Sequence, residues 1–321
     1  MKNKKTIIPL STIIFLLILC IIALCINHLT VVHSIKIENQ EAIEYLSENN
    51  LSVIMMYFSR IIAYGNGEVK VREGLNFSNY AALKSDATID GNNIYFFDRN
   101  KSVIKKTSIY GTSELEIPLK GIYSPKYFSI SPDGTQLAFR CYLDVNFIEV
   151  AIMIYNFISN EKSIIYQYSR SSSKLDEVSS ISWSHTGKSL FYAKAGDIFK
   201  INLSNLQSEI VASGYWVETL PNEEIAYWRN VGEFAVSYKK NLIENKETQM
   251  YKTSMPIEGA DWDPTGRYLV IAVPSYPKRF FNYSHHVTTP FIWDTEINEQ
   301  YRLPHCGYYT GCIFWLANNQ L

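Results

Sequence analysis

One motif recurs along this chain: a β-rich run, a tight Gly-containing turn, then a second β-rich run. It is clearest at residues 129–139, 182–192 and 261–271. In the first copy Ser131-Pro132-Asp133-Gly134 makes the turn. In the others Ser184-His185-Thr186-Gly187 and Asp263-Pro264-Thr265-Gly266 take its place. Proline presets φ for a turn, Asp or Thr bonds the local backbone, and Gly accepts the positive φ. An aliphatic residue follows three positions after each Gly, where the next strand turns a side chain inward.

The same rule finds weaker copies at Asp90-Gly91 with Ile94, Pro221-Asn222 with Ile225, and Ala317-Asn318 with Leu321. Asn replaces Gly because it tolerates the left-handed conformation. The turn positions 91, 134, 187, 222, 266 and 318 are spaced by 43, 53, 35, 44 and 52 residues. A period of about 45 residues is what a four-stranded propeller blade requires. The second half of each repeat agrees: Ile152–Tyr155, Asp197–Ile201, Phe234–Tyr238 and Phe291–Asp294 are short β-rich runs followed by polar turns. No long helical period runs through residues 52–321. The expected fold is an all-β, six-bladed propeller over residues 52–321. A seven-bladed ring is the alternative, if residues 46–53 start another hairpin rather than ending a short helix over 38–48.

The last copy supplies one inner strand, Phe314–Leu316, and its turn. An unpaired strand edge is a liability that ring closure removes. Residues 52–80 hold three candidate strands and are expected to complete that blade.

The Ser-Pro-Asp-Gly turn with Leu137-Ala138-Phe139 after it resembles the PD40 (WD40-like) repeat of the TolB-like propellers of bacterial envelopes. The resemblance covers residues 80–321 in loose form. It implies a propeller fold and an extracytoplasmic setting, and it says little of function, because one fold hosts many. TolB carries a separate N-terminal α/β domain, for which residues 28–80 are too short.

Ahead of the repeats, Lys2, Lys4 and Lys5 precede an almost unbroken apolar stretch, Ile7–Ile26. Twenty helical residues span about 30 Å, the thickness of a hydrocarbon core. The lysines favour a cytoplasmic N-terminus. The expected layout is a cytoplasmic stub (1–5), a transmembrane signal anchor (6–27), a juxtamembrane linker (28–51) and the propeller outside the inner membrane. A cleaved signal peptide ending near Ala23 and a lipoprotein signal at Cys20 or Cys25 are the competing readings. Leu precedes both cysteines where a lipobox wants a small residue. Beyond residue 28 the chain carries 27 Lys and Arg against 31 Asp and Glu with no basic run. That argues against nucleic acid, which needs clustered positive charge.

Candidate sites are few. The insertion over 275–289 carries Tyr276, Arg279, Phe280, Phe281, Tyr283, His285 and His286. Polar-aromatic loops on a rigid scaffold bind partners, so this is the candidate partner loop. A metal reading of the His pair needs further ligands that no spacing supplies. Asp90, Gly91, Asp133, Gly134, Gly187, Asp263 and Gly266 read as turn-forming residues, since recurrence at repeat positions is what a structural role predicts. Trp183, Trp262 and Trp315 read as packing between blades. Cys306 and Cys312 bracket a short loop and are a candidate disulfide in an oxidising compartment, whereas Cys141 reads as a buried thiol. No Gly-x-Ser-x-Gly, His-Glu-x-x-His or glycine-rich phosphate loop is present, and no cofactor is implied. The expected function is a non-catalytic, membrane-anchored propeller that binds an envelope protein. A propeller enzyme, hydrolase or lyase, or a binder acting on a glycan or peptide through funnel residues, is the alternative.

Overall fold

The structure is a computed structural model. It describes residues 40–57, 60–65, 68–73, 87–91, 93–98, 101–108, 114–170, 177–254, 257, 259–274, 288–303 and 312–316. After one helix, α1 (Gln40–Glu48), the described chain is strand throughout.

The strands form six four-stranded antiparallel sheets. Five are contiguous in sequence and are numbered here as blades 1–5. Blade 1 is Ala87–Asp90, Asn93–Asp98, Val103–Ser108 and Glu114–Pro118 (β4–β7). Blade 2 is Tyr123–Ile130, Gln136–Tyr142, Glu149–Asn156 and Lys162–Ser169 (β8–β11). Blade 3 is Val178–Trp183, Ser189–Lys194, Asp197–Asn202 and Ser208–Ser213 (β12–β15). Blade 4 is Tyr215–Leu220, Glu224–Val231, Phe234–Asn241 and Lys246–Thr253 (β16–β19). Blade 5 is Gly259–Trp262, Tyr268–Pro274, Thr288–Asp294 and Glu299–Arg302 (β20–β23).

The sixth sheet joins the two ends of the described chain. Its inner strand is β24 (Cys312–Leu316), and Ser52–Tyr57, Arg60–Gly65 and Glu68–Glu73 (β1–β3) follow outward. Ser52 pairs with Leu316 and Met56 with Cys312, so the N-terminal strands complete the blade as expected. Each inner strand packs on the next, from β4 through β8, β12, β16 and β20 to β24 and back to β4. The ring is closed.

Residues 46–53 do not start a seventh hairpin. Leu46 lies in the last turn of α1, and its carbonyl accepts the Leu51 N–H at 2.8 Å. Over residues 40–51 the chain is also not a free linker. Ala42 and Leu46 are buried with Val53, Met55, Tyr64 and Trp315, between blades 5 and 6. Tyr45 stacks on Tyr301 at 3.7 Å and donates its hydroxyl to the buried Asp294 carboxylate. The apolar spacing Ala42–Leu46 puts both residues on one helical face, which is why so short a helix is worth docking. No helix among the described residues is long and apolar enough to cross a membrane. The expected span, 6–27, lies outside the described residues.

Candidate functional site

The repeat turns are built alike. In blades 2, 3 and 5 the residue three before Gly exchanges both backbone bonds across the hairpin. Ser131, Ser184 and Asp263 donate to Gln136, Ser189 and Tyr268, each at 2.9 Å, and accept from Gly134, Gly187 and Gly266, each at 2.9 Å. Their side-chain oxygens take a third bond from the same partners' N–H, at 2.9, 3.1 and 2.6 Å. Gly134, Gly187 and Gly266 have φ of 70°, 69° and 76°, and Gly91 51°. Asp133 accepts from Ser131 Oγ, Thr135 N and Thr135 Oγ1 at 2.6, 3.0 and 2.9 Å, and these bonds, that of Ser131 first, hold its carboxyl below the ordinary range. Asp90 ends β4 just before Gly91. No group of three or more His, Cys, Asp or Glu among the described residues is placed to hold a metal.

All six inner strands face a central channel of about 170 Å³. Its walls carry Thr88, Ser129, Ser180 and Ser182, the aromatics Tyr127 and Trp216, and two acids, Glu218 and Asp261. Tyr127 and Trp216 hold positive φ, 57° and 60°, at places where β8 and β16 bulge against their neighbours. A bulge re-aims the side chains beside it.

The channel wall is also the seam between blades. At four junctions, from blade 2 round to blade 6, a side chain of one inner strand accepts a backbone N–H of the next. Ser129 Oγ takes Trp183 N at 3.3 Å, Ser180 Oγ takes Val217 N at 2.7 Å, and Ser182 Oγ takes Thr219 N at 3.0 Å. Glu218 Oε2 takes Trp262 N at 2.9 Å, and Asp261 Oδ2 takes Trp315 N at 3.0 Å. The tryptophans fill the gaps behind. Trp183, Trp262 and Trp315 are buried. The indole N–H groups of Trp183 and Trp315 donate to the preceding blade's carbonyls, at Ser129 (3.0 Å) and Asp261 (2.8 Å). Both channel acids are thus structural acceptors, and Glu218 also takes the Trp216 indole at 3.1 Å.

Strand direction sorts the loops onto two faces. In blades 1–5 the inner strand runs toward its repeat turn, which defines a turn face. Loops between second and third strands lie on the opposite face, as do the connections between blades. On this loop face residues 143–148 of blade 2 present Val145, Phe147 and Ile148, exposed by 64, 44 and 49%. The loop is not loose. Asp144 Oδ1 accepts from Asn146 N at 2.7 Å and Oδ2 from Ile148 N at 3.0 Å and from Glu149 N. Those bonds, the one from Glu149 first, hold the Asp144 carboxyl below its ordinary range. In blade 4, Val231 and Phe234 flank the tight turn at Gly232 (φ 63°), also exposed. The long insertion of blade 5 leaves the ring from this same face, between Pro274 and Thr288. Tyr276, Arg279, Phe280, Phe281, Tyr283, His285 and His286 lie outside the described residues. So does Cys306, and with it the Cys306–Cys312 pair. Cys141 is a buried free thiol, and burial pushes it up to about 12.

Sequence reasoning missed Asp144, Glu218 and Asp261. The channel acids carry a faint signal: each stands in an inner strand beside or near a turn-proximal Trp or Leu. Nothing distinguishes Asp144 from any polar loop residue.

No family model and no curated protein matches the chain. Solved structures do. One described as TolB from Agrobacterium tumefaciens superposes with a TM-score of 0.59 at 13% identity, over 82% of this chain and 91% of that one. A chain from a nidogen–laminin complex gives 0.59 at 10% identity, over 84% and 100%. Likeness at such identities shows the fold alone: a β-propeller of TolB-like shape.

Proposed function

We propose that this chain is a six-bladed, non-catalytic propeller, anchored through residues 6–27 in the bacterial inner membrane. Its ring lies on the extracytoplasmic side and binds a protein partner of an envelope complex on the loop face. The observation that carries the binding reading is the loop face itself. Val145, Phe147, Ile148, Val231 and Phe234 stand exposed on turns whose backbone is already fixed, so little ordering entropy opposes docking. Clustered exposed apolar groups mark interaction surfaces. The opposite face exposes Ile158, Leu206, Ile243 and Ile297 singly, one to a turn, whereas the loop face gathers three at 145–148 and carries the exposed Phe147 and Phe234. The TolB-like shape and the apolar segment Ile7–Ile26 support the envelope setting. The channel acids favour binding over catalysis because both already hold backbone N–H groups of the next blade. Tyr127 and Trp216 on the channel wall keep a glycan ligand as the second reading.

The test is a double variant, Phe147→Ser with Phe234→Ser, in the full chain. Recovery of the crosslinked envelope partner is expected to fall at least about tenfold, with the melting temperature unchanged. Full recovery by the variant would refute the loop face as the binding surface.

A further inference from the structure

Between blades 2 and 3 the fold buries a cation that it does not satisfy. Arg140 sits in β9, 2% exposed. Its neighbours Phe139 and Cys141 pack toward blade 1, whereas Ala138 joins Val178 and Tyr192 of blade 3. Alternation along the strand therefore sends Arg140 into the junction with blade 3. Nη2 donates to Glu177 Oε2 at 2.5 Å and to the Tyr142 hydroxyl at 3.0 Å, and the guanidinium lies 4.4 Å from the Tyr142 ring centre. Nε and Nη1 are buried without a hydrogen-bond partner among the described residues. Between them they carry one and two N–H groups. Leaving such donors dry is costly, so a buried charged group in this state calls for something to receive them.

The surroundings are cationic. Glu177 is shared with Arg170, whose Nη1 lies 2.7 Å from Oε1. Lys194, at the end of β13, rests its ammonium 3.9 Å from the Tyr168 ring centre and donates to the Tyr166 hydroxyl at 3.2 Å. It pairs with no acid among the described residues. Backbone pairing sets Lys194 opposite Val178, directly after Glu177. Among the described residues, Arg140 and Arg170 thus share one carboxylate, and Lys194 stands nearby without an acid of its own. Arg170 and Glu177 are each about a quarter exposed, so the cluster opens to solvent at its outer edge.

We propose that this junction binds a small oxyanion, a carboxylate or phosphate group. Arg140 is its buried donor, and Arg170 and Lys194 are its flanking cations. Charge-assisted bonds to an oxyanion satisfy the open N–H groups and offset the excess positive charge. Glu177 is the internal competitor for the same guanidinium. The site adjoins the loop-face surface, since the Arg170 N–H donates to the Ile148 carbonyl at 2.8 Å and the Tyr142 ring meets Phe147 at 5.0 Å. Anion binding is nonetheless read without any protein partner, and it stands or falls apart from the partner reading.

Calorimetric titration of the full chain in detergent, at fixed ionic strength against chloride, tests this with inorganic phosphate and with acetate. Saturable binding of either is expected, and the preferred anion tells which group the ligand carries. Lys194→Gln and Arg170→Gln, both at part-exposed positions, should each weaken binding by about tenfold. Arg140→Gln should abolish it, and Glu177→Gln should strengthen it. Absence of saturable binding for both anions would overturn the proposal and leave internal water as the partner of Arg140. So would affinities unchanged in Lys194→Gln and Arg170→Gln.

Discussion

Replacing Asp294 with Asn should show that α1 is part of the ring. Asp294 is fully inaccessible at the end of β22. Arg267 Nε donates to both its oxygens at 3.0 and 3.1 Å, and Nη2 to Oδ2 at 2.6 Å. The Tyr45 hydroxyl of α1 and the Glu296 N–H complete its bonds. Burial alone would raise this carboxyl, but Arg267 and then Tyr45 outweigh burial and bring it to about 2, against an ordinary 3.8. A group that titrates lower when folded stabilises the fold above its unfolded value, and that stability is lost as pH falls through the folded value. The difference is worth about 2 kcal/mol. Asp294→Asn removes that charge and leaves Arg267 with Glu296 at 2.8 Å. At neutral pH the variant should melt about 4–8 °C lower, for a cost of about 2 kcal/mol. Between pH 5 and 2 the native chain should lose the same amount, and the variant should lack that component. Circular dichroism melts of the detergent-solubilised chain across this pH range read both quantities. A variant within about 0.5 kcal/mol of the native chain, or with the same acid slope, would refute the clamp.

Other perturbations separate the parts of the ring. A Cβ on Gly214 would lie 2.6 Å from the Trp228 carbonyl oxygen and 2.8 Å from the Tyr227 ring, so Gly214→Ala should cost more than about 2 kcal/mol in denaturant titration. The Trp262 indole N–H has no partner among the described residues, unlike those of Trp183 and Trp315. Trp→Phe should therefore cost about 1 kcal/mol more at 183 and 315 than at 262, as measured by chemical unfolding. Cys141, buried with its thiol pushed up to about 12, should resist maleimide at pH 8 in the folded chain and react once unfolded, as followed by peptide mass spectrometry.

Much of the ring was legible because the turn chemistry is repeated. Gly134, Gly187 and Gly266 share a left-handed φ that few residues accept, and their spacing counts blades. Closure by the segment 52–80, whose strands span 52–73, followed from the lone inner strand at Phe314–Leu316 and the cost of an open edge. What stayed hidden depends on side chains that meet only in three dimensions. Tyr45 and Asp294 are 249 residues apart, and no local pattern links them. The docking of α1 was missed because Ala42 and Leu46 make a short stripe in a polar segment, readable equally as a hairpin start. Arg140 did leave a trace: a charge inside the apolar run Leu137–Tyr142, on the strand side it shares with Ala138 and Tyr142. The candidate partner loop over 275–289 was singled out by its length and lies almost wholly outside the described residues, and the blade 2 loop at 143–148 was passed over because it is short.

Site-specific photo-crosslinking in intact cells tests the central claim most directly. The probe replaces Phe147 or Val231 on the loop face, and Ile158 or Ile243 on the outer turns of the opposite face, all four exposed. The account predicts discrete protein adducts from Phe147 and Val231, and none from Ile158 and Ile243. Adducts confined to Ile158 and Ile243, or none from any position, would contradict it.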